Sequence, residues 1–271
     1  MTDRYAVIGN PIKHSKSPFI HREFSKQTQQ DLNYTAELVD LGQVKKFVDA
    51  FKKNNGKGLN VTVPFKQDAF ELADKLTERA QRAGAVNTLS LSDEIAGDTT
   101  DGVGLVNDLS RNHKIIFKNK RILILGAGGA VRGVIESILN TAPAHLIIAN
   151  RTIEKALTLK NIFSDLGSID GCGFNELNNE KVDLIINGTS ASLSGELPPI
   201  PDNILNNQAT VYDMMYSAEP TPFMKWGQQQ NAGLCLDGLG MLVEQAAESF
   251  YIWRGIRPDT KPVIKKLKET L

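Results

Sequence analysis

Short apolar runs alternate along this chain with stretches in which apolar residues recur every three or four positions, the strand and helix periods. Residues 5–9 form a first apolar run that ends in the turn Gly9-Asn10-Pro11. A polar loop follows, and the pattern predicts a helix over 19–29 with Ser17 as N-cap, Pro18 at its first position and Phe19, Ile20 and Phe24 on its apolar side. Residues 34–39 read as a second strand. Val44, Phe47, Val48 and Phe51 then fall at helical spacing, and the stretch from Lys52 to Gly56 ends that helix. Residues 59–63, whose β-branched Val61, Thr62 and Val63 suit a sheet, read as a third strand, and Pro64 stops it because it has no N–H for a ladder. Helical pieces from about Lys66 and Thr77 break at Gly84, and 86–91 reads as a strand. This order predicts an α/β domain with a mostly parallel sheet, reaching to about residue 100.

The alternation then begins again. A helix over 102–112 precedes the run Ile122-Leu123-Ile124-Leu125, four consecutive apolar residues that suit a strand buried on both faces. A helix to about 140, a strand over 145–149, a helix over 153–163 and a strand over 182–186 follow. Residues 193–207, with Pro198, Pro199 and Pro201, read as a loop. Strands over 210–213 and 234–236 flank a helix over 222–230, which completes a doubly wound, Rossmann-type nucleotide-binding domain. Leu239, Leu242, Val243, Ala246, Phe250 and Trp253 then mark one long amphipathic helix, and a shorter one covers 258–271. Asp101-Gly-Val-Gly-Leu105 and Asp237-Gly-Leu-Gly-Met241 share one form and stand where the two domains meet in sequence. They read as the two hinges of a discontinuous first domain, with two unrelated turns before helices as the plainer alternative. The expected division is therefore 1–101 plus 238–271 against 102–237, with the C-terminal helices returning to the first domain.

Composition narrows the function. Apolar residues make up 41% and charged residues 23%, as in a water-soluble globular protein. The 31 basic and 31 acidic residues cancel, so neither nucleic acid nor an anionic membrane is an expected partner. Cys172 and Cys235 lie far apart, form no metal-type pair and read as small buried residues; no metal is expected. Scarce cysteine, an N-terminus without a leader-type apolar segment and no run of membrane length point to the cytoplasm.

The candidate chemistry lies at strand ends. Gly126, Gly128 and Gly129 join the apolar strand at 122–125 to a helix from Ala130, so backbone can approach a pyrophosphate and free helix N–H groups can receive it. Val131 departs from the usual fingerprint, which has Gly or Ala there. The next strand ends in Asn150-Arg151-Thr152 without a carboxylate for a ribose hydroxyl, while Arg151 and Lys155 suit a 2′-phosphate; NADP is favoured over NAD. Lys66 stands past a strand's carboxyl end in the first turn of a helix, and Asp101 at the domain junction is the carboxylate to pair with it. Ser15 and Ser17 follow the first strand and suit a carboxylate ligand, and Asn87 lies on the same rim. Plainer readings stay open: a tight glycine turn, a solvated lysine, an aspartate N-cap, turn serines and a turn asparagine. His14, in the same loop, reads as solvated.

The motifs Gly9-Asn-Pro-Ile-Lys-His-Ser-Lys-Ser-Pro18, Asn60-Val-Thr-Val-Pro-Phe-Lys66, Gly84-Ala-Val-Asn-Thr88, Gly126-Ala-Gly-Gly-Ala130, Asn150-Arg-Thr152 and Asp237-Gly-Leu-Gly-Met241 together resemble the shikimate dehydrogenase family, in order and over nearly the whole chain. The resemblance implies reversible reduction of 3-dehydroshikimate to shikimate by NADPH in aromatic amino-acid biosynthesis, by a two-domain monomer or homodimer. It implies Lys66 and Asp101 as catalytic pair. Ser15, Ser17 and Tyr216 would take the substrate carboxylate, and Thr62, Asn87, Asp101 and Gln245, with Lys66, its hydroxyls. Gly126, Ala127, Gly128, Gly129, Ala130, Asn150, Arg151, Thr152 and Lys155 would bind the cofactor. Met214 and Gly238 would lie at its nicotinamide and Thr189 near its ribose. Three positions depart from the family pattern: Thr99 replaces an asparagine, Lys155 an arginine, and Gly188 an alanine, this last expected only to add flexibility. The rival readings are a quinate/shikimate dehydrogenase using NAD and a non-catalytic NADP-binding regulator.

Overall fold

The computed structural model describes residues 2–177 and 181–271. It divides into two compact units, one of residues 1–104 with 243–269 and one of 105–242 with 270–271. The borders fall a few residues beyond the start of each glycine motif, inside helices rather than between them.

In the first unit a six-stranded sheet has the order β2-β1-β3-β5-β6-β4. Its strands are β1 (Asp3–Gly9), β2 (Leu32–Leu38), β3 (Gly56–Val61), β4 (Lys75–Leu76), β5 (Thr88–Leu91) and β6 (Ile95–Asp98). Alternation in β1 sends Ala6 and Ile8 to one face, with α2 (Val44–Lys53) and Leu59 and Val61, while Tyr5 and Val7 face the other, with Ile12, Tyr34 and Trp253. Helix α1 (Ser17–Thr28) packs on β1 and β2, and α10 (Lys261–Lys268) packs on α1. The sheet is mostly parallel, as expected, with β4 parallel to β6 and a single reversed strand, β5. β1 pairs parallel with β2 and β3, but β5 pairs antiparallel with both β3 and β6. The reason is the three-residue link 92–94, too short for a crossover, leading into a strand that four residues with little apolar pattern do not announce. The expected N-cap is corrected: Ser17 is the first residue of α1, Lys16 is the N-cap without a side-chain bond, and the Ser17 N–H donates to Ser15 Oγ at 3.3 Å.

The second unit holds an all-parallel six-stranded sheet in the order β12-β11-β10-β7-β8-β9. The strands are β7 (Arg121–Leu125), β8 (His145–Asn150), β9 (Ile169–Gly173), β10 (Val182–Asn187), β11 (Leu205–Asp213) and β12 (Leu234–Leu236). Read outward from β7, this is the doubly wound order, and the strand order reverses between β7 and β10. β7 is buried on both faces as expected. Ile122 and Ile124 pack with α6 (Gly129–Leu139) and α7 (Ile153–Phe163), and Leu123 and Leu125 with Phe223 and Trp226 of α8 (Pro222–Gln229). Three details differ from the sequence reading. β9 is an additional edge strand; β11 starts at Leu205, inside the expected loop; and α5 (Asp101–Asn107) passes into a π-helical turn over Asp108–Asn112. Cys172 and Cys235 are partly rather than fully buried.

Candidate active site

In the first unit four strand ends meet at one rim of the sheet. β1 leads through Gly9 into the loop of Ser15 and Ser17, and β3 leads through Thr62 to Lys66, the first residue of α3 (Lys66–Leu72). Asn87 precedes β5, and Asp101 follows β6 after two threonines. The register makes neighbours of them: the Thr62 N–H donates to Ile8 O at 2.9 Å, Val61 N–H to Asn87 O at 2.8 Å and Asn87 N–H to Asp98 O at 3.0 Å. This rim is the carboxyl end of the parallel strands, where open α/β sheets bind ligands.

The side chains there form one hydrogen-bonded cluster. Lys66 Nζ makes a short, charge-assisted contact with Asp101 Oδ2. Asn87 Nδ2 donates to Asp101 Oδ1 and to Thr100 Oγ1, each at 2.9 Å, while its carbonyl oxygen accepts the Thr100 N–H at 2.9 Å. Gln245, on α9 (Leu239–Arg254), sets Oε1 at 3.4 Å from both Asn87 Nδ2 and Thr100 Oγ1. Gly104 allows that approach, since a Cβ on it would lie 2.7 Å from Gln245 Cβ. Lys66, Asp101, Asn87 and Gln245 are thus joined in one chain of contacts. Ser15 and Ser17 bond to each other on the neighbouring strand end, and Thr62 packs its methyl over Gly9.

Behind this layer lies a second one that sequence reasoning missed. Asn60 Nδ2 donates to Asn87 O at 3.1 Å and Ser249 Oγ at 2.9 Å, and Tyr34 OH donates to Asn60 Oδ1 at 2.7 Å. Asn60, a polar residue between the buried Leu59 and Val61 of β3, is the sequence signal by which it could have been found. His21 stacks on Tyr34 with ring centroids 4.0 Å apart, and its pKa is pushed down to about 3 by complete burial, only partly offset by Asn60. It is a neutral core ring. Thr99 is buried, and its N–H donates to Asp98 Oδ1 at 2.7 Å, so main-chain and Asp98 contacts hold this loop whichever side chain stands at 99.

The second unit carries the nucleotide features, gathered at the carboxyl ends of β7, β8 and β10. Gly126 has φ +102°, and a Cβ there would lie 3.3 Å from Gly188 O, so this turn requires glycine. Gly128 and Gly129 differ: a Cβ on either would meet nothing within 4 Å. The protein's own packing does not demand their smallness. They leave open space over the N-terminus of the eleven-residue α6, the room and the partial charge a pyrophosphate needs. Ala127 and Ala130 belong to the same turn. Arg151, Thr152 and Lys155 are exposed at the start of α7, and neither cation is in an ion pair among the described residues; Asn150 Nδ2 donates to Thr152 O at 2.8 Å. These residues fit a dinucleotide with a charged 2′ substituent.

Asn187 and Asp213, paired across β10 and β11 and fully buried, organise the adjoining loops. Asn187 Oδ1 accepts from Thr189 N–H at 3.0 Å and Thr189 Oγ1 at 2.7 Å, while Asp213 accepts from Asn187 Nδ2 at 3.1 Å, Ser192 Oγ at 2.6 Å and the Met215 N–H at 3.1 Å. Met214 N–H bonds to Asn187 O at 2.9 Å, and a Cβ on Gly238 would strike Met214 O, so Thr189, Met214 and Gly238 adjoin this network. Tyr216 stands half-buried after β11, its phenol pKa raised by that burial.

Family models match the chain in three segments: a shikimate dehydrogenase substrate binding domain over 7–89, a shikimate / quinate 5-dehydrogenase segment over 109–194 and a shikimate 5′-dehydrogenase C-terminal domain over 238–268. A shikimate dehydrogenase (NADP+) of Cellvibrio japonicus is 58% identical, covering 100% of this chain and 99% of its own. Among solved structures, an Ael1 enzyme from Pseudomonas putida matches with TM-score 0.93 at 44% identity, over 98% of both chains. A shikimate 5-dehydrogenase of Thermus thermophilus, in complex with NADP(H) and shikimate, matches with TM-score 0.88 at 27% identity over the whole of both chains.

Proposed function

The chain belongs to the shikimate dehydrogenase (NADP+) family, and from that membership we propose that Lys66 and Asp101 are the residues through which it reduces 3-dehydroshikimate. The enzyme is an oxidoreductase that interconverts 3-dehydroshikimate and shikimate with NADPH and NADP+. When bound, NADPH would supply the hydride for the carbonyl carbon. Lys66 donates a proton to the oxygen that becomes the hydroxyl and takes one back in the reverse direction; bulk solvent reprotonates it after reduction. Asp101 holds the ammonium and accepts from a substrate hydroxyl, and Asn87, Thr62 and Gln245 bind the remaining hydroxyls. Ser15, Ser17 and Tyr216 take the carboxylate.

The observation that carries this reading is the Lys66–Asp101 contact at the carboxyl rim, with Asn87 locking the second carboxylate oxygen. A regulator that only binds NADP requires no such pair. For the cofactor, Gly126, Ala127, Gly128, Gly129 and Ala130 take the pyrophosphate. Asn150, Arg151, Thr152 and Lys155 take the 2′-phosphate, and Thr189, Met214 and Gly238 line the nicotinamide end. Residues 1–101 with 238–271 serve as substrate domain and 102–237 as cofactor domain. The same proposal places the enzyme in the cytoplasm as a monomer or homodimer, without nucleic-acid or membrane partners. Among the described residues no helix is long and apolar enough to cross a membrane. The test is turnover by variants: Lys66→Met and Asp101→Asn should each lower kcat by about a hundredfold or more, the usual size of a general acid–base contribution. Wild-type turnover by Lys66→Met would overturn the assignment.

A further inference from the structure

Asn87 alone does not account for the position of Asp101. Only Thr99 and Thr100 separate it from Asp98, and Asp98 is itself densely bonded. Its Oδ1 accepts from Thr77 Oγ1, Arg79 Nε and the Thr99 N–H, each at 2.7 Å, and its Oδ2 accepts from Arg79 Nη2 at 2.7 Å. Thr77 is the N-cap of α4 (Glu78–Ala83), where its Oγ1 accepts the Ala80 N–H at 3.3 Å, so one helix start presents both Thr77 and Arg79 to Asp98. Arg79 is held in turn from behind. Its Nη2 lies 3.4 Å from Glu248 Oε1, and Glu248 also pairs with Arg257.

We propose that Arg79 is a positioning residue for the proton-transfer pair: its two-pronged grip on Asp98 anchors the Thr99-Thr100 link that presents Asp101 to Lys66. This rests on the reading of Lys66 and Asp101 as the catalytic pair. Arg79 acts on them through Asp98. A two-residue link has little slack, so a shift of Asp98 is passed to Asp101 rather than absorbed. The guanidinium fork matches a carboxylate with two parallel bonds, whereas a lysine there could supply the charge but only one point of contact. The geometry explains why an arginine outside the substrate-binding set is paired so completely.

The test compares full-length wild type, Arg79→Gln, Arg79→Lys and Lys66→Met with NADPH and 3-dehydroshikimate, normalised to titrated NADPH-binding sites. Arg79→Gln should lower kcat by about tenfold, the scale of sub-ångström misplacement of reacting groups, and leave KM for NADPH within about twofold. Its solvent deuterium isotope effect on kcat should rise, because a misplaced pair makes proton transfer limiting. Arg79→Lys should fall between, and should it alone fold, the same pattern in smaller size decides. Wild-type kcat and isotope effect in the Arg79 variants, even with a lower Tm, would overturn the positioning role while a dead Lys66→Met left the catalytic reading intact. An active Lys66→Met would remove that reading and the inference with it.

Discussion

Val131 occupies a position where the dinucleotide fingerprint has Gly or Ala, and the residue that makes room for it is Gly188. A Cβ at 188 would lie 2.3 Å from Val131 Cγ2 and 3.1 Å from Met214 Sδ, and Val131 is fully buried. The glycine in place of the family's alanine is therefore a packing partner of Val131, not merely a flexible link, and the two departures read from the sequence as separate are one. Gly188→Ala should lower the unfolding free energy by about 1–3 kcal/mol through overpacking. Adding Val131→Ala should recover part of that loss, measured by denaturant unfolding; simple additivity of the two would contradict the pairing. His21 supports a pH prediction. Its folded pKa of about 3 lies below the ordinary value of 6.5, so below pH 6.5 the unfolded chain binds a proton that the folded chain does not. Stability attributable to this residue should be intact above pH 6.5 and should fall with a slope approaching about 1.4 kcal/mol per pH unit as pH drops toward 3. His21→Phe, which keeps a ring against Tyr34, should remove that part of the slope; an unchanged slope would mean that other groups produce it. Neither relation was legible in sequence, because each depends on residues 57 and 13 positions apart meeting in space.

At the scale of elements, the long apolar runs were legible and the short mixed ones were not. β7, β8 and β10 carry consecutive aliphatic residues, and α2 and α9 carry clean helical spacing, so period and burial point the same way. β6 (Ile-Ala-Gly-Asp) and β9 (Ile-Asp-Gly-Cys-Gly) have almost no alternation of their own and are strands because a neighbour offers a free edge. The start of α7 follows β8 directly, so Arg151 and Lys155, the proposed ligands of the 2′-phosphate, stand beside it with no carboxylate partner among the described residues. Arg151→Ala should raise KM for NADPH by about tenfold or more, in line with the loss of one charge-assisted clamp, and leave KM for NADH nearly unchanged. Equal effects on the two cofactors would sink the 2′-phosphate assignment.

For the molecule as a whole, the paired Asp-Gly-apolar-Gly motifs lie within a few residues of the two places where the chain passes between its compact units. The structure adds what two of those glycines do: Gly104 admits Gln245, and Gly240 admits Asp108, whose Oδ1 would sit 1.9 Å from a Cβ. Which residues gather at the first unit's rim was largely predictable, because strand ends and motif order locate Lys66, Asn87 and Asp101. Their support by Asn60, Tyr34, Arg79 and Asp98 was not, since it depends on pairing between strands and helices distant in sequence. The protein is an NADP-dependent oxidoreductase of the shikimate dehydrogenase family. The most direct test of that activity is the initial rate of cofactor reduction by the wild-type chain with shikimate and with quinate, each against NADP+ and NAD+. The highest kcat/KM should belong to shikimate with NADP+; a higher value with NAD+ or quinate, or no turnover while both ligands bind, would contradict it.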